Sequence, residues 1–195
     1  GGDIPLACAG IITKVNMIFM SFVIGISQGI QPIIGFNYGA AKYTRVRKTY
    51  LLALATATAL SFVAFGCFQL FPRQIISVFG KGSELYFQFS ERYFRIYMFL
   101  TLINGIQPVT SNFFNSIGKS SLGVFMSLTR QILFLLPLII VFPIFMGIDG
   151  VMYAGPIADA ATGIVCGIFT IRELKELKTL SYTSGNAVAA SGSAN

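Results

Sequence analysis

The sequence predicts an all-α, polytopic membrane helix bundle with five transmembrane helices and an internal pseudo-repeat. Three observations carry this expectation. Hydrophobic residues make up 54% of the chain and charged residues 11%, with a mean hydropathy of +0.73; a soluble domain carries about 25% charged residues. Five apolar runs are each long enough to cross a hydrocarbon core of about 30 Å as a helix. The tetrapeptide "GIQP" occurs twice, 76 residues apart, in matching surroundings.

The runs cover 6–36, 50–71, 93–117, 122–145 and 151–171. None alternates as the ten-residue strands of a membrane barrel would. "GAAKYTRVRK" separates the first two spans. "PRQIISVFGKGSELYFQFSER" separates the second and third, and its "IISVF" reads as a short interfacial helix. "GKSS" and "MGIDG" are tight turns that force antiparallel neighbours. The five-span bundle is placed at 1–178. The polar stretch "SYTSGNAVAASGSAN" at the end places a disordered tail at 179–195. The opening "GGDIPL" has no Met and no signal-peptide pattern, and reads as the start of a piece of something longer.

The net charge is +7, and the charges fall between the apolar runs. One side gathers Lys42, Arg45, Arg47, Lys48, Lys119, Arg172, Lys175 and Lys178; the other gathers Arg73, Lys81, Arg92 and Arg95. The richer side is expected to be cytoplasmic, with the N-terminus outside and the C-terminus inside. The positive charge therefore reads as topology and contact with anionic lipid, and nucleic-acid binding is excluded. Cys8, Cys67 and Cys166 sit in three different runs without paired spacing, and there is no His, so no metal site is expected. The cysteines read as small packing residues.

Both "GIQP" copies lie late in a span running inward. Both are followed by Gly and Lys, at Gly39 and Lys42 and at Gly118 and Lys119, before a span running back. Repeats of this kind, with interrupted helices near the midplane, are typical of secondary transporters. In the first span Ser21, Gln28, Gln31 and Gly35 share one stripe, and Pro32 breaks the hydrogen-bond ladder beside them. Two readings stand: glutamines bonding across a packed helix interface, or glutamines lining a cavity. In the third span Thr101, Asn104, Gln107, Ser111 and Asn115 share a face around Pro108, and cavity lining is favoured. The glycine pairs Gly25/Gly29, Gly35/Gly39 and Gly163/Gly167 have the spacing of close helix contacts.

Ionisable residues within spans are candidates for function because burying each one is costly. Lys14 reads as snorkelling to the interface or as functional; Arg92 and Arg95 read as interfacial anchors beside Tyr93 and Tyr97. Asp159 in "AGPIADAATG" and Arg130 in "LTRQ" fall at similar depth. They are expected to form a buried pair, or Asp159 to couple an ion, or Arg130 to sit at the interface. No nucleophile stands beside a base and no phosphate-binding glycine loop occurs, so an enzyme is not expected.

"GISQGIQPIIGFNYGA" with its basic sequel, "RYFRIYMFLTLINGIQPVTSNFFNSIGKS", "SLTRQI" and "GIDGVMYAGPIADAATG" resemble segments of the multidrug and toxic compound extrusion family. The resemblance implies spans eight to twelve of a twelve-span, two-lobed transporter. It implies export of organic cations, drugs or metabolites across the plasma or inner membrane in exchange for Na⁺ or H⁺, with no other cofactor. It implies that Gln28, Gln31, Asn104, Gln107 and Ser111 face the cleft, opposite the N-terminal lobe. Some members hold Na⁺ with carboxylates in this lobe, where this chain has Asn104 and Gln107, so the coupling ion is open. The rivals are a flippase for lipid-linked saccharides of the same superfamily, and a membrane scaffold without transport. A flippase would need several cleft Lys or Arg, and this chain offers Lys14 and Arg130.

Overall fold

A computed structural model describes residues 3–79 and 84–192; Lys81 lies outside them. The described residues form helices and tight turns, with no strand among them. α1 (Asp3–Gly39) and α2 (Tyr43–Leu70) are long and continuous. α3 (Pro72–Phe79) is the short helix expected around "IISVF". The chain then runs through α4 (Glu84–Tyr97), a 3₁₀ turn (Met98–Leu100), α5 (Thr101–Asn104) and α6 (Ile106–Ser116). α7 (Ser120–Leu128), a π-helical segment (Thr129–Leu135) and α8 (Leu136–Met146) form one rod, and α9 (Ile148–Gly192) closes the bundle.

Four of the five expected crossings are continuous apolar helices: Ala7–Gly39, Tyr43–Leu70, Ser120–Met146 and Asp149–Thr183. The third crossing is interrupted twice, at Met98–Leu100 and at Gly105. Pro108 has no N–H for the carbonyl of Asn104, so the ladder fails where the break occurs. The first copy of the tetrapeptide behaves differently, because α1 passes through Pro32 unbroken. Surroundings account for the contrast. A Cβ on Gly29 meets nothing within 4 Å, whereas one on Gly105 meets Ser61 Oγ at 3.0 Å and the Ala57 carbonyl at 3.6 Å. The second copy is pressed onto α2. Ser27 Oγ of α1 also donates to the Pro108 carbonyl at 2.9 Å, which holds the broken segment from the other side.

The pseudo-repeat has a structural counterpart in the two turns that follow the tetrapeptides. The Lys42 amide donates to the Asn37 carbonyl (2.8 Å) and the Ala41 amide to that of Tyr38 (3.0 Å). In the second turn the Lys119 amide donates to Phe114 (3.0 Å) and the Gly118 amide to Asn115 (3.2 Å). Ala41 (φ 54) and Gly118 (φ 81) supply the left-handed residue that this helix stop requires. Lys42 and Lys119 then open the return helices, each carbonyl accepting from the third and fourth amides beyond it. The lysines are 77 residues apart and the tetrapeptides 76. The extra residue turns the second "GIQP" by about 100° relative to its turn, and the break at Gly105 lies in that copy.

The centre is tied by Tyr50 of α2. Its hydroxyl lies 3.0 Å from Thr110 Oγ1 of α6 and 3.0 Å from Thr170 Oγ1 of α9, and its ring stacks on Phe113 at 4.2 Å. Among the glycine pairs expected to pack helices, Gly25, Gly29, Gly39 and Gly167 face open space, while Gly35 and Gly163 touch neighbours. The backbone of α9 remains helical to Gly192, across the segment where the sequence predicts a disordered tail. Ala187, Ala189 and Ala190 are strong helix formers and no proline interrupts them.

α9 is also clamped at the Lys-rich end. Lys119 Nζ lies 2.8 Å from Glu173 and 3.2 Å from Glu176, and the Glu173 side chain is only 7% exposed. Burial pulls the Lys119 ammonium down, the two carboxylates push it up further, and the net shift is upward. A lysine raised by its folded partners contributes stability that is full below the ordinary lysine value near 10.5 and is lost as pH rises through the higher folded value. Lys119→Met leaves Glu173 without its partner and is expected to cost about 1–3 kcal/mol at neutral pH. Denaturant titration of both proteins checks this, and the difference should shrink only above that lysine range.

Candidate functional site

α1 carries Ser21, Gln28 and Gln31 on the side away from its buried face. Cys8, Val15, Phe19, Val23, Ile30 and Ile34 are buried at helical spacing, while Ser21, Gln28, Gln31 and Pro32 are exposed. Gln28 and Gln31 make no hydrogen bond among the described residues. Gly25 and Gly29, beside them, leave open space where side chains would stand. Ile24, one turn before Gln28 and two before Gln31, is exposed; nearer the start of α1, Ile18 and Phe22 border a separate groove of about 280 Å³ whose far wall is Leu60, Val63 and Cys67 of α2. The open face thus sets uncharged amides within two turns of an exposed Ile24.

The polar stripe of the third crossing lies elsewhere. Ser111 Oγ donates to the Gly123 carbonyl and meets Ser127 Oγ, both at 2.7 Å, and Gln107 Nε2 donates to the Met126 carbonyl at 3.4 Å. Thr101 Oγ1 caps the 3₁₀ turn by donating to the Met98 carbonyl at 2.7 Å. Asn104 is 8% exposed. In this structure Ser111 and Gln107 therefore bond across to α7, because Gly123 and Ser127, four residues apart, let that helix come close. No hydrogen bond joins them to Gln28 or Gln31. Sequence reasoning missed Ser27 and Asn112, which do join the two "GIQP" helices: Asn112 Nδ2 donates to Ser27 Oγ at 2.5 Å. Ser27 directly precedes Gln28 but falls on the buried side of α1.

Arg130 and Asp159 form a buried ion pair, the guanidinium Nε donating to the carboxylate Oδ1. Their side chains are 19% and 3% exposed. Arg130 projects from the π-helical segment, and Tyr97, at the end of α4, places its hydroxyl beside the guanidinium. α9 fits closely here. A Cβ on Gly155 would lie 2.8 Å from the Tyr97 ring, and one on Gly163 would lie 2.4 Å from Ile103. Asp159 stands one turn from each, so it faces the interrupted crossing. Tyr97, which the sequence marks only as a neighbour of the anchoring Arg92 and Arg95, belongs to this cluster. Lys14 is exposed and pairs with no carboxylate among the described residues. No group of three or more His, Cys, Asp or Glu gathers among the described residues.

A family model described as MatE matches residues 2–141, well over half of the chain. The chain belongs to the MatE family. Its fold agrees with solved structures of that kind. A ligand complex of the MATE multidrug transporter DinF-BH is 35% identical, with a TM-score of 0.78, over 84% of this chain and 36% of that one. The outward-facing conformation of a multidrug resistance MATE family transporter of the MOP superfamily gives a TM-score of 0.83 at 18% identity, over 92% of this chain and 40% of that one. A FAD transporter of Shewanella oneidensis is 22% identical over 83% of this chain and 35% of its own length. This MatE chain therefore spans between 35% and 40% of the length of these relatives. With its apolar helices, membership makes it part of a multi-pass membrane protein of a transporter family.

Proposed function

We propose that this chain is the larger part of one lobe of a cation-coupled antiporter. That antiporter exports organic cations, drugs or metabolites by alternating access, in exchange for Na⁺ or H⁺. The observation that carries the reading is the open face of α1 in a MatE chain, where Gln28 and Gln31 stand unbonded, one and two turns beyond the exposed Ile24. Amides without fixed charge bind varied ligands through hydrogen bonds, and an apolar neighbour such as Ile24 takes part of their carbon skeletons. The partner across this face is the N-terminal lobe. The membrane is the plasma or inner membrane, with the Lys-rich face cytoplasmic. The reading assigns transport and no catalysis. The pairing of Arg130 with Asp159 weighs against a flippase, since of the two cations offered for its cleft, Lys14 and Arg130, one is already neutralised.

The test is efflux of a fluorescent organic cation from energised cells expressing the complete protein. Replacing Gln28 and Gln31 together by Ala removes two neutral hydrogen bonds, each worth about 0.5–1.5 kcal/mol net. The half-saturating concentration is expected to rise about 5- to 150-fold at unchanged expression. Efflux should also stop when the Na⁺ or the proton gradient is dissipated. Efflux surviving the loss of both gradients sinks the antiporter reading.

A further inference from the structure

We infer that the Lys-rich end of the bundle carries a phosphate-recognising pocket that seats the headgroup of an anionic phospholipid between α2 and α9. A cavity of about 260 Å³ lies there, lined by Tyr43, Thr44, Arg47, Lys178, Ser181 and Tyr182 among others. Thr44 Oγ1 and Ser181 Oγ lie 2.7 Å apart and close the two walls together. No acid is among the described residues that line the cavity. Arg47 and Lys178 have no carboxylate partner among the described residues, because the nearby Glu173 and Glu176 are engaged by Lys119. Lys178 rests on the Tyr182 ring, its Nζ 5.9 Å from the centroid. α2 begins at Tyr43; the Lys42 carbonyl takes the Arg45 and Val46 amides, and the amides of Tyr43 and Thr44 are left to add partial positive charge to one wall. Two unpaired cations, three kinds of hydroxyl and a helix start around one concavity form an oxyanion site.

Depth and surroundings select a lipid over free phosphate. Thr44 lies six residues before the apolar run at Tyr50, about 9 Å along the helix, which is the depth of the headgroup layer. One turn deeper from Arg47 stands exposed Leu51, and two turns deeper from Lys178 stands exposed Ile171. These give acyl chains an apolar track directly below the cations. Tyr43 and Tyr182 flank the mouth as interfacial aromatic residues do.

The experiment uses the complete protein, delipidated in detergent and titrated with phosphatidylglycerol, phosphatidylcholine or inorganic phosphate, with bound lipid counted by native mass spectrometry. Each cation near a lipid surface is worth about 1 kcal/mol, so Arg47→Gln with Lys178→Gln is expected to weaken phosphatidylglycerol about 30-fold and leave phosphatidylcholine unchanged. Arg45→Gln with Lys48→Gln, on the same basic turn but outside the pocket, should change it less than about 3-fold. Arg47→Lys with Lys178→Arg keeps both charges and should retain most of the affinity, which separates loss of charge from loss of fold. Equal loss in the two Gln pairs means general surface charge and overturns the pocket. Unchanged binding in the Arg47/Lys178 pair overturns it too, and displacement of the lipid by millimolar inorganic phosphate overturns the lipid as occupant.

Discussion

Asp159→Ala is expected to destabilise the bundle by about 3–5 kcal/mol, because it leaves the Arg130 guanidinium buried without its counter-charge. Arg130 is 19% exposed on its side chain, too little for water to take over, and Tyr97 offers it only a hydroxyl. The measurement is unfolding in a mixed-micelle denaturant titration, compared with the unaltered protein. A double replacement, Arg130→Met with Asp159→Leu, removes both charges at similar volume and is expected to recover most of that loss. The cycle separates two roles for the carboxylate. If the double variant folds and its export still follows the ion gradient, the pair is structural. If it folds but export no longer depends on the gradient, Asp159 couples the ion. Asp159→Ala unfolding at the same denaturant concentration as the unaltered protein would show that the pair is not desolvated, against its burial here.

The pair's position explains why a single replacement should be felt widely. Asp159 lies between Gly155 and Gly163, which press α9 onto Tyr97 and Ile103 of the interrupted crossing. Arg130 lies in the π-helical segment, an extra-wide turn of the kind often found at functional sites. Two irregular points, Met98–Leu100 directly after Tyr97 and Thr129–Leu135 with Arg130, thus adjoin one ion pair. α9 carries further acids with partners on other elements: Asp149 accepts from the Tyr93 hydroxyl near its start, and Glu173 and Glu176 hold Lys119 near the other end.

Much of this architecture was legible in the sequence, for a physical reason. Lipid imposes a length on every apolar run, so the runs at 6–36, 50–71, 122–145 and 151–171 had to be helices of spanning length. An acid and a base at matching depth have few alternatives to each other, and Asp159 with Arg130 followed. The local course of the third crossing was not legible. Two copies of "GIQP" carry the same local instruction and give an unbroken helix at Pro32 and a break at Gly105. The difference lies in what packs against the glycine, Ser61 and Ala57 in one case and open space in the other. Likewise nothing in "TRQILFL" marks the π-helical segment from which Arg130 reaches Asp159. The facing of Ser111 was decided by Gly123 and Ser127 on the partner helix, a spacing present in the sequence beside more conspicuous glycine pairs.

That contact gives the second large effect. A Cβ on Gly123 would lie 2.1 Å from Asn115 Oδ1, 2.6 Å from its Cγ and 2.8 Å from the Ser111 carbonyl. The Asn115 amide can swing away, but the carbonyl belongs to the backbone of α6, so α7 itself must retreat. Retreat stretches the 2.7 Å bonds from Ser111 Oγ to the Gly123 carbonyl and to Ser127. Overpacking of this kind costs about 1–3 kcal/mol, and the lost hydrogen bonds add about 1 kcal/mol. The better helix propensity of alanine returns about 1 kcal/mol, so Gly123→Ala should lose about 1–3 kcal/mol net. Gly123→Val forgoes most of that return and adds two methyl groups, and is expected to lose more than the alanine variant. Gly66→Ala in α2, where nothing lies within 4 Å, should instead gain up to about 1 kcal/mol by propensity alone. The three variants measured in one denaturant series fix the sign. An alanine at Gly123 as harmless as one at Gly66 would mean that α7 does not approach α6 closely, and the inward bonds of Ser111 would go with it.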